Sequence, residues 1–180
     1  IESAGATALK LLSNGNYSLN TIANGSVAAN GVTLKYSNAA VTYGQFNNLT
    51  LIGAEAVSNN PYLPWTGYAV VWKDNASGNF IGWQVDSNGN YVSQITTPAT
   101  SSGVYFLENL LQQDLNNDGV SNNQFTIIDN IGSAVMGGIG PFYTIATVDN
   151  AGAPIAGTGG VLTINGSEVR SGQFGAWTPA

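Results

Sequence analysis

Asp114, Asn116 and Asp118 put oxygen-bearing side chains at alternate positions of Asp114-Leu115-Asn116-Asn117-Asp118-Gly119-Val120, and this spacing is the strongest chemical signal in the sequence. In a tight loop the three side chains converge, Gly119 makes the sharp turn, and the Val120 carbonyl adds a fourth ligand. Hard oxygen donors select calcium over softer metals, so Ca2+ is the expected cofactor. The position that carries a bidentate Glu in an EF-hand is Phe125 here. The loop is therefore not an EF-hand, and further ligands must come from elsewhere, with Asn122, Asp129, Glu55 and Glu108 as candidates. The competing reading is a polar loop that closes a helix C-terminus without an ion. Two carboxylates held this close repel one another unless a cation is present, which favours calcium.

Other residue types bound the chemistry. The sequence has no His and no Cys, so it lacks the usual general base near neutral pH, zinc-binding thiolates and disulfides. Asp114 and Asp118 share a metal-type loop and leave no separate acid and base, so no enzyme is expected. Asp86-Ser87-Asn88-Gly89-Asn90 also alternates oxygen side chains, but it lies between two strand-like runs, and a hairpin turn accounts for it. Trp65, Trp72, Trp83 and Tyr91 stand in an aromatic-rich stretch with Tyr62, Tyr68 and Phe80. Such rings stack on sugars in carbohydrate-binding modules, but aromatic residues within strands are more often core.

Mostly strands must position these residues. Tyr68–Lys73, Phe80–Val85 and Tyr91–Ile95 are β-branched and aromatic runs with short turns between them, the pattern of an antiparallel meander in which Trp72 and Trp83 form a cross-strand pair. Asn-Gly at Asn14, Asn24, Asn30, Asn88 and Asn165 supplies the positive φ of tight hairpin turns. From Val104 to Gln113 the apolar residues fall at helical spacing, with Ser101 and Ser102 upstream as possible caps. The expected fold is mostly β, with antiparallel sheets and one short helix leading into the Asp-x-Asn-x-Asp-Gly loop.

The chain also repeats itself. Ile1–Leu9 returns as Ile128–Met136, and Val41–Thr50 returns as Val169–Thr178, an offset of about 127 residues, which is the size of a domain. Residues 1–127 are expected to form one complete repeat unit, and residues 128–180 the N-terminal part of a second, packed on the first or on a neighbouring subunit. Phe142–Val148 and Val161–Ile164 would then expose apolar strand edges that self-association could bury.

Only 8% of the residues are charged, against roughly a quarter in typical soluble domains. A net charge of -6 repels phosphate backbones and anionic lipid, which excludes nucleic acid. No apolar run approaches the roughly 20 residues of a membrane-spanning helix, so membrane insertion is not expected. With no initiator Met and no signal segment, the sequence is expected to be a mature or trimmed piece.

Gly53-Ala54-Glu55, Gly67–Lys73, Asp86–Tyr91, Phe106–Leu110, Gln113–Gly119 and Gly172–Pro179 together resemble the tryptophan-rich repeat domain of large secreted or surface proteins of cyanobacteria and proteobacteria. Leu49 stands where that family usually writes a Trp after Gly-Gln-Phe, whereas Trp177 keeps it. The resemblance implies an extracellular or bacterial cell-surface location and brings no catalytic residues. Two functions are expected from these readings. One is a calcium-stabilised structural module that self-associates, up to a head-to-tail fibre. The other is a lectin-like adhesion module that binds extracellular polysaccharide through Trp65, Trp72, Trp83 and Tyr91.

Overall fold

The computed structural model describes residues 5–58, 63, 65–97, 99–121, 126–152, 155 and 158–175. Among them the chain is mostly β, in antiparallel sheets, with one short helix. The first region is built from β1 (Thr7–Leu11), β2 (Tyr17–Ala23), β3 (Ser26–Val27), β4 (Val32–Thr33), β5 (Lys35–Tyr36) and β6 (Ala39–Ala40). β2 is the hub, pairing with β1, β3 and β4. Its turn into β3 is made by Asn24 and Gly25, both at positive φ (51° and 73°), the backbone that a two-residue hairpin requires. Asn30-Gly31 does not make such a turn. Gly31 has an ordinary φ and packs so closely on β2 that a Cβ would lie 2.5 Å from the Ser18 hydroxyl.

The central sheet holds β7 (Leu49–Val57), β8 (Gly67–Asp74), β9 (Phe80–Val85) and β10 (Tyr91–Thr97) in the order β10-β9-β8-β7. The expected three-strand meander is present, and β7 extends it. Alternation along β8 and β9 gives the sheet two apolar faces. Val70, Trp72, Trp83 and Val85 face the first region and join Leu9, Tyr17, Leu19, Leu34 and Val41 in the largest core. Val71 and Phe80 face the helix α1 (Ser102–Leu111) and meet Val104 and Leu111. Trp83 is paired with Val70, and Trp72 with Ile81, so the two indoles are diagonal neighbours and not directly opposed. Their ring centroids are 5.0 Å apart.

The second region comprises β11 (Thr126–Asp129), β12 (Ala134–Ile139), β13 (Phe142–Thr147), β14 (Gly160–Val161), β15 (Thr163–Ile164) and β16 (Ser167–Glu168). Its hydrogen bonds follow those of the first. Tyr17 N–H donates to Val41 O at 3.1 Å, and Tyr143 N–H to Val169 O at 3.3 Å. Leu34 N–H reaches Tyr17 O at 3.0 Å, and Leu162 N–H reaches Tyr143 O at 2.8 Å. Even the side chains agree, since Gln45 Oε1 accepts from Thr42 N–H and Gln173 Oε1 from Arg170 N–H, both at 2.9 Å.

The two regions lie on different sides of the central sheet. The first covers the Trp72 and Trp83 face, while the second packs against α1, with the Tyr105 and Phe142 rings 5.6 Å apart. Glu168 completes the helix by accepting hydrogen bonds from the Ser102 N–H, at 3.1 Å, and the Ser102 hydroxyl. A carboxylate suits this position because the first turn of a helix presents unpaired N–H groups and the positive end of its dipole. Arg170 adds a second tie, donating from Nη2 to Thr100 O at 2.7 Å.

Candidate functional site

Helix α1 ends at Leu111, and Gln112 leaves it in the left-handed region (φ 54°), which starts the loop that carries the oxygen side chains. The backbone then winds around those oxygens. Asp114 Oδ2 accepts from Gly119 N–H at 2.9 Å, and its Oδ1 from Asp118 N–H at 3.2 Å. Asn116 Oδ1 also accepts from Asp118 N–H, and Asp118 Oδ1 from Val120 N–H, each at 2.9 Å. Asn116 Nδ2 donates to Asp118 Oδ2 at 3.2 Å. Asp114, Asn116 and Asp118 are thus brought together, with Val120 hydrogen-bonded into the same loop through its N–H.

Of the other candidate ligands among the described residues, Glu108 is the one that reaches this loop. Its side chain is fully buried, and Oε1 accepts from Leu115 N–H at 3.1 Å and Asn116 N–H at 3.0 Å. Burial pushes the Glu108 carboxyl above its ordinary range; the charges of Asp118 and Asp114 push the same way and the two amides oppose them. Tyr105, one helical turn earlier on the same face, also lies against the loop. Burial raises its hydroxyl pKa, and the neighbouring Asp118 raises it further.

Glu55 and Asp129 are engaged elsewhere. Glu55 is buried in β7 and ties the start of the chain to the central sheet, with its oxygens accepting from Ala6 N–H at 3.1 and 3.0 Å and from Ala56 N–H at 2.9 Å. Burial raises its pKa against the pull of these amides. Asp129 accepts from Ile131 N–H at 3.1 Å in its own turn. Asn122 lies outside the described residues, as do Tyr62, Phe125 and Trp177.

The donors suit a hard cation, and carboxylate oxygens have lone pairs beyond those the amides use. Among the described residues no group of three or more Asp or Glu converges as a metal site, so Asn and carbonyl oxygens would have to complete the coordination. Asp86–Asn90, by contrast, forms a plain turn. Asp86 Oδ1 accepts from Asn88 N–H at 2.9 Å and Asn90 N–H at 2.8 Å, and the Asn90 side chain helps hold the carboxyl below its usual range.

Trp72 and Trp83 are core residues, 2% and 3% exposed, so neither can offer a ring face to a sugar. Tyr36 stacks on Trp83 at 5.6 Å, Tyr91 meets the same indole at 5.0 Å, and Phe46 sets its edge against both indoles at 5.4 Å. Trp65 is different. It is half-buried and lines a cavity of about 440 Å3 between the central sheet, α1 and β14, together with Gln84, Phe106, Leu110 and Val161.

Residues 11–121 match the family described as the tryptophan-rich Synechocystis species C-terminal domain. The chain belongs to this family. Neither the curated proteins nor the solved structures hold a match. In this tryptophan-rich domain the matched span takes in the indole pair, the central sheet, α1 and the whole Asp114–Val120 loop, and it stops before the second region.

Two contributors were not legible as such in the sequence. Tyr105 could have been found, since it precedes Glu108 by three positions and so shares its helix face. Glu168 carried no signal, because its counterpart in the first region is Ala40, a residue with nothing to offer a helix cap.

Proposed function

We propose that the chain is a non-enzymatic structural module of an extracellular or bacterial cell-surface protein. It is stabilised by calcium at the Asp114–Val120 loop and associates through its repeated regions, up to a head-to-tail fibre. In this reading residues 1–127 are one repeat unit and residues 128–180 begin a second. The observation that carries it is the gathering of the Asp114, Asn116 and Asp118 side-chain oxygens within one tight loop, the hard-oxygen arrangement that suits a divalent cation. The absence of His and Cys, and the sharing of the Asp pair with a metal-type loop, support the non-enzymatic part.

Calcium at a hundredfold excess over its Kd should stabilise the fold by about 2.7 kcal/mol. The melting temperature should therefore rise with calcium, fall with chelator, and become indifferent to both in Asp118→Ala. An unchanged melting curve of the native chain on chelation would mean that the loop is only a helix terminator.

A second reading is favoured by one observation, the cavity beside Trp65. It is a carbohydrate-binding adhesion role for extracellular polysaccharide, narrowed from the whole aromatic stretch to that ring. Binding on a glycan array that disappears in Trp65→Ala would support it over the structural reading.

A further inference from the structure

The second region repeats the hydrogen bonds of the first but not its burial. In the first region Leu9, paired with Leu19, and Tyr17, paired with the exposed Leu11, turn one face of the β1–β2 hairpin to the central sheet. The same positions in the β12–β13 hairpin are Met136 with Ile145 and Gly138 with Tyr143. Leu19 is 1% exposed and Ile145 is 40% exposed. Leu9 and Leu34 are fully buried, while their counterparts Met136 and Leu162 are only half-buried. Phe46 sets its edge against Trp72 and Trp83, whereas Phe174, at the same place in Gly172-Gln173-Phe174, meets no indole among the described residues and is 48% exposed. Scattered apolar residues on a surface are ordinary. These are the positions that make a core one repeat earlier.

A polar feature points to the same missing partner. Gly5 has φ 74°, and Glu55 fills the space beside it so closely that a Cβ on Gly5 would overlap the carboxylate. The following residue, Ala6, donates its N–H to that carboxylate. Gly132 and Ser133 stand at the corresponding positions: Ala6 O accepts from Ile22 N–H, and Ser133 O from Val148 N–H. Gly132 keeps a positive φ of 102°, yet among the described residues nothing lies within 4 Å of where its Cβ would be. The second region therefore retains a backbone cradle shaped for a glutamate that no described residue supplies.

We infer that this face of the second region, formed by Met136, Tyr143, Ile145, Leu162 and Phe174, is a docking site for a further Trp-bearing antiparallel sheet of the kind formed by Leu49–Thr97. That sheet offers an indole pair to Phe174 and Ile145 and a glutamate to the Gly132–Ser133 cradle. The inference rests on the association reading above and names its partner. The sheet already present cannot fill the role, because Trp72 and Trp83 are covered by the first region. A second copy of the chain could supply one only by releasing its own first region. The contact is between faces, so it buries side chains and not merely the strand edges.

The sequence has no Cys, so a single introduced thiol reports on one position. Ile145→Cys is compared in the full chain and in an extended chain in which residues 51–127 are appended again after Thr178, the register given by Val41 and Val169. Maleimide labelling at position 145 should be at least about tenfold slower in the extended chain. Val41→Cys, buried in the first region, should label slowly in both and so report that each chain is folded. Changing the appended copies of Trp72 and Trp83 to Leu should restore fast labelling at position 145.

Unchanged fast labelling of Ile145→Cys in an extended chain whose Val41→Cys is protected would overturn the inference. So would slow labelling that survives loss of the indoles. Protection that grows with the concentration of the unextended chain, with no effect of the extension, would make the face a self-association surface; the docking site falls and the fibre reading stands. Protection by the extension, with the unextended chain monomeric in light scattering at every concentration, does the reverse.

Discussion

The first region, Thr7–Tyr43, and the second, Ala134–Ser171, share a backbone plan and differ in what covers them. Both close a hairpin, bring β4 or β14 against its second strand, and lock a Gln side chain onto the backbone just after a buried Val. Local chemistry is enough for this, because turn residues and strand alternation are written into each copy separately. Burial is not local. Leu19 is in the core because the central sheet lies on it, and Ile145 is 40% exposed because, among the described residues, no comparable sheet does. A ladder of hydrogen bonds can therefore be complete before a region has its core, and the two properties must be tested apart.

The largest expected effect removes the cover itself. Trp83→Ala should destabilise the chain by about 3–5 kcal/mol, since the indole is almost fully buried and carries Tyr36, Tyr91 and Phe46. A Cys at Phe46 should then label about as fast as one at Phe174. A denaturation midpoint that hardly moves would mean that the first region does not depend on the sheet.

Next comes the matched pair of truncations. Leu19→Ala should cost about 2–5 kcal/mol, whereas Ile145→Ala, at the same ladder position, should stay within about 0.5 kcal/mol. Equal losses in chemical denaturation would erase the distinction between the regions.

A smaller effect is expected at the tie between the second region and the helix. Glu168→Ala removes the acceptor at Ser102 and should cost about 0.5–2 kcal/mol, with faster hydrogen exchange in the first turn of α1. The equivalent position in the first region is already Ala40, so Ala40→Glu should give nothing in return. Unaltered exchange in Glu168→Ala would show that the helix start does not need this cap.

The smallest effect is a pH slope. Burial raises the Glu55 pKa above its ordinary 4.5, so the folded chain favours the protonated carboxyl. This contribution is fully present below pH 4.5 and is lost as the pH rises through the raised value. Stability should fall gently from there toward neutrality, and Glu55→Gln should flatten that part of the profile. Among the described residues the Gly132–Ser133 cradle holds no such carboxylate, so no matching slope is expected from it. A native profile that rises over this interval would reverse the assignment.

Much of the fold was legible in sequence because its signals are short-range. β-Branched and aromatic runs between turns gave β8, β9 and β10, helical spacing gave α1 to within a residue or two, and the apolar runs Phe142–Val148 and Val161–Ile164 fall on β13, β14 and β15. β7 was hidden because Gly53-Ala54-Glu55-Ala56 offers little alternation and a bulge falls between Leu51 and Gly53. The gathering of Asp114, Asn116 and Asp118 was legible for the same local reason. The roles of Glu55 and Glu168 were not, since each acts on backbone far away in sequence. Trp72 and Trp83 were ambiguous because a ring that fits a sugar also fits a core, and only the placement of the first region decides between them.

The Glu168 clasp also carries a consequence for synthesis. Ser102 and Glu168 are 66 positions apart. At the roughly 5–20 residues per second of translation, the start of α1 leaves the ribosome several seconds before its cap exists. Throughout that interval the central sheet and the first region can assemble while the helix still lacks its amino-terminal acceptor. Maturation of this chain is thus ordered in time, with the Asp114–Val120 loop held on a helix that becomes complete only when the second region arrives.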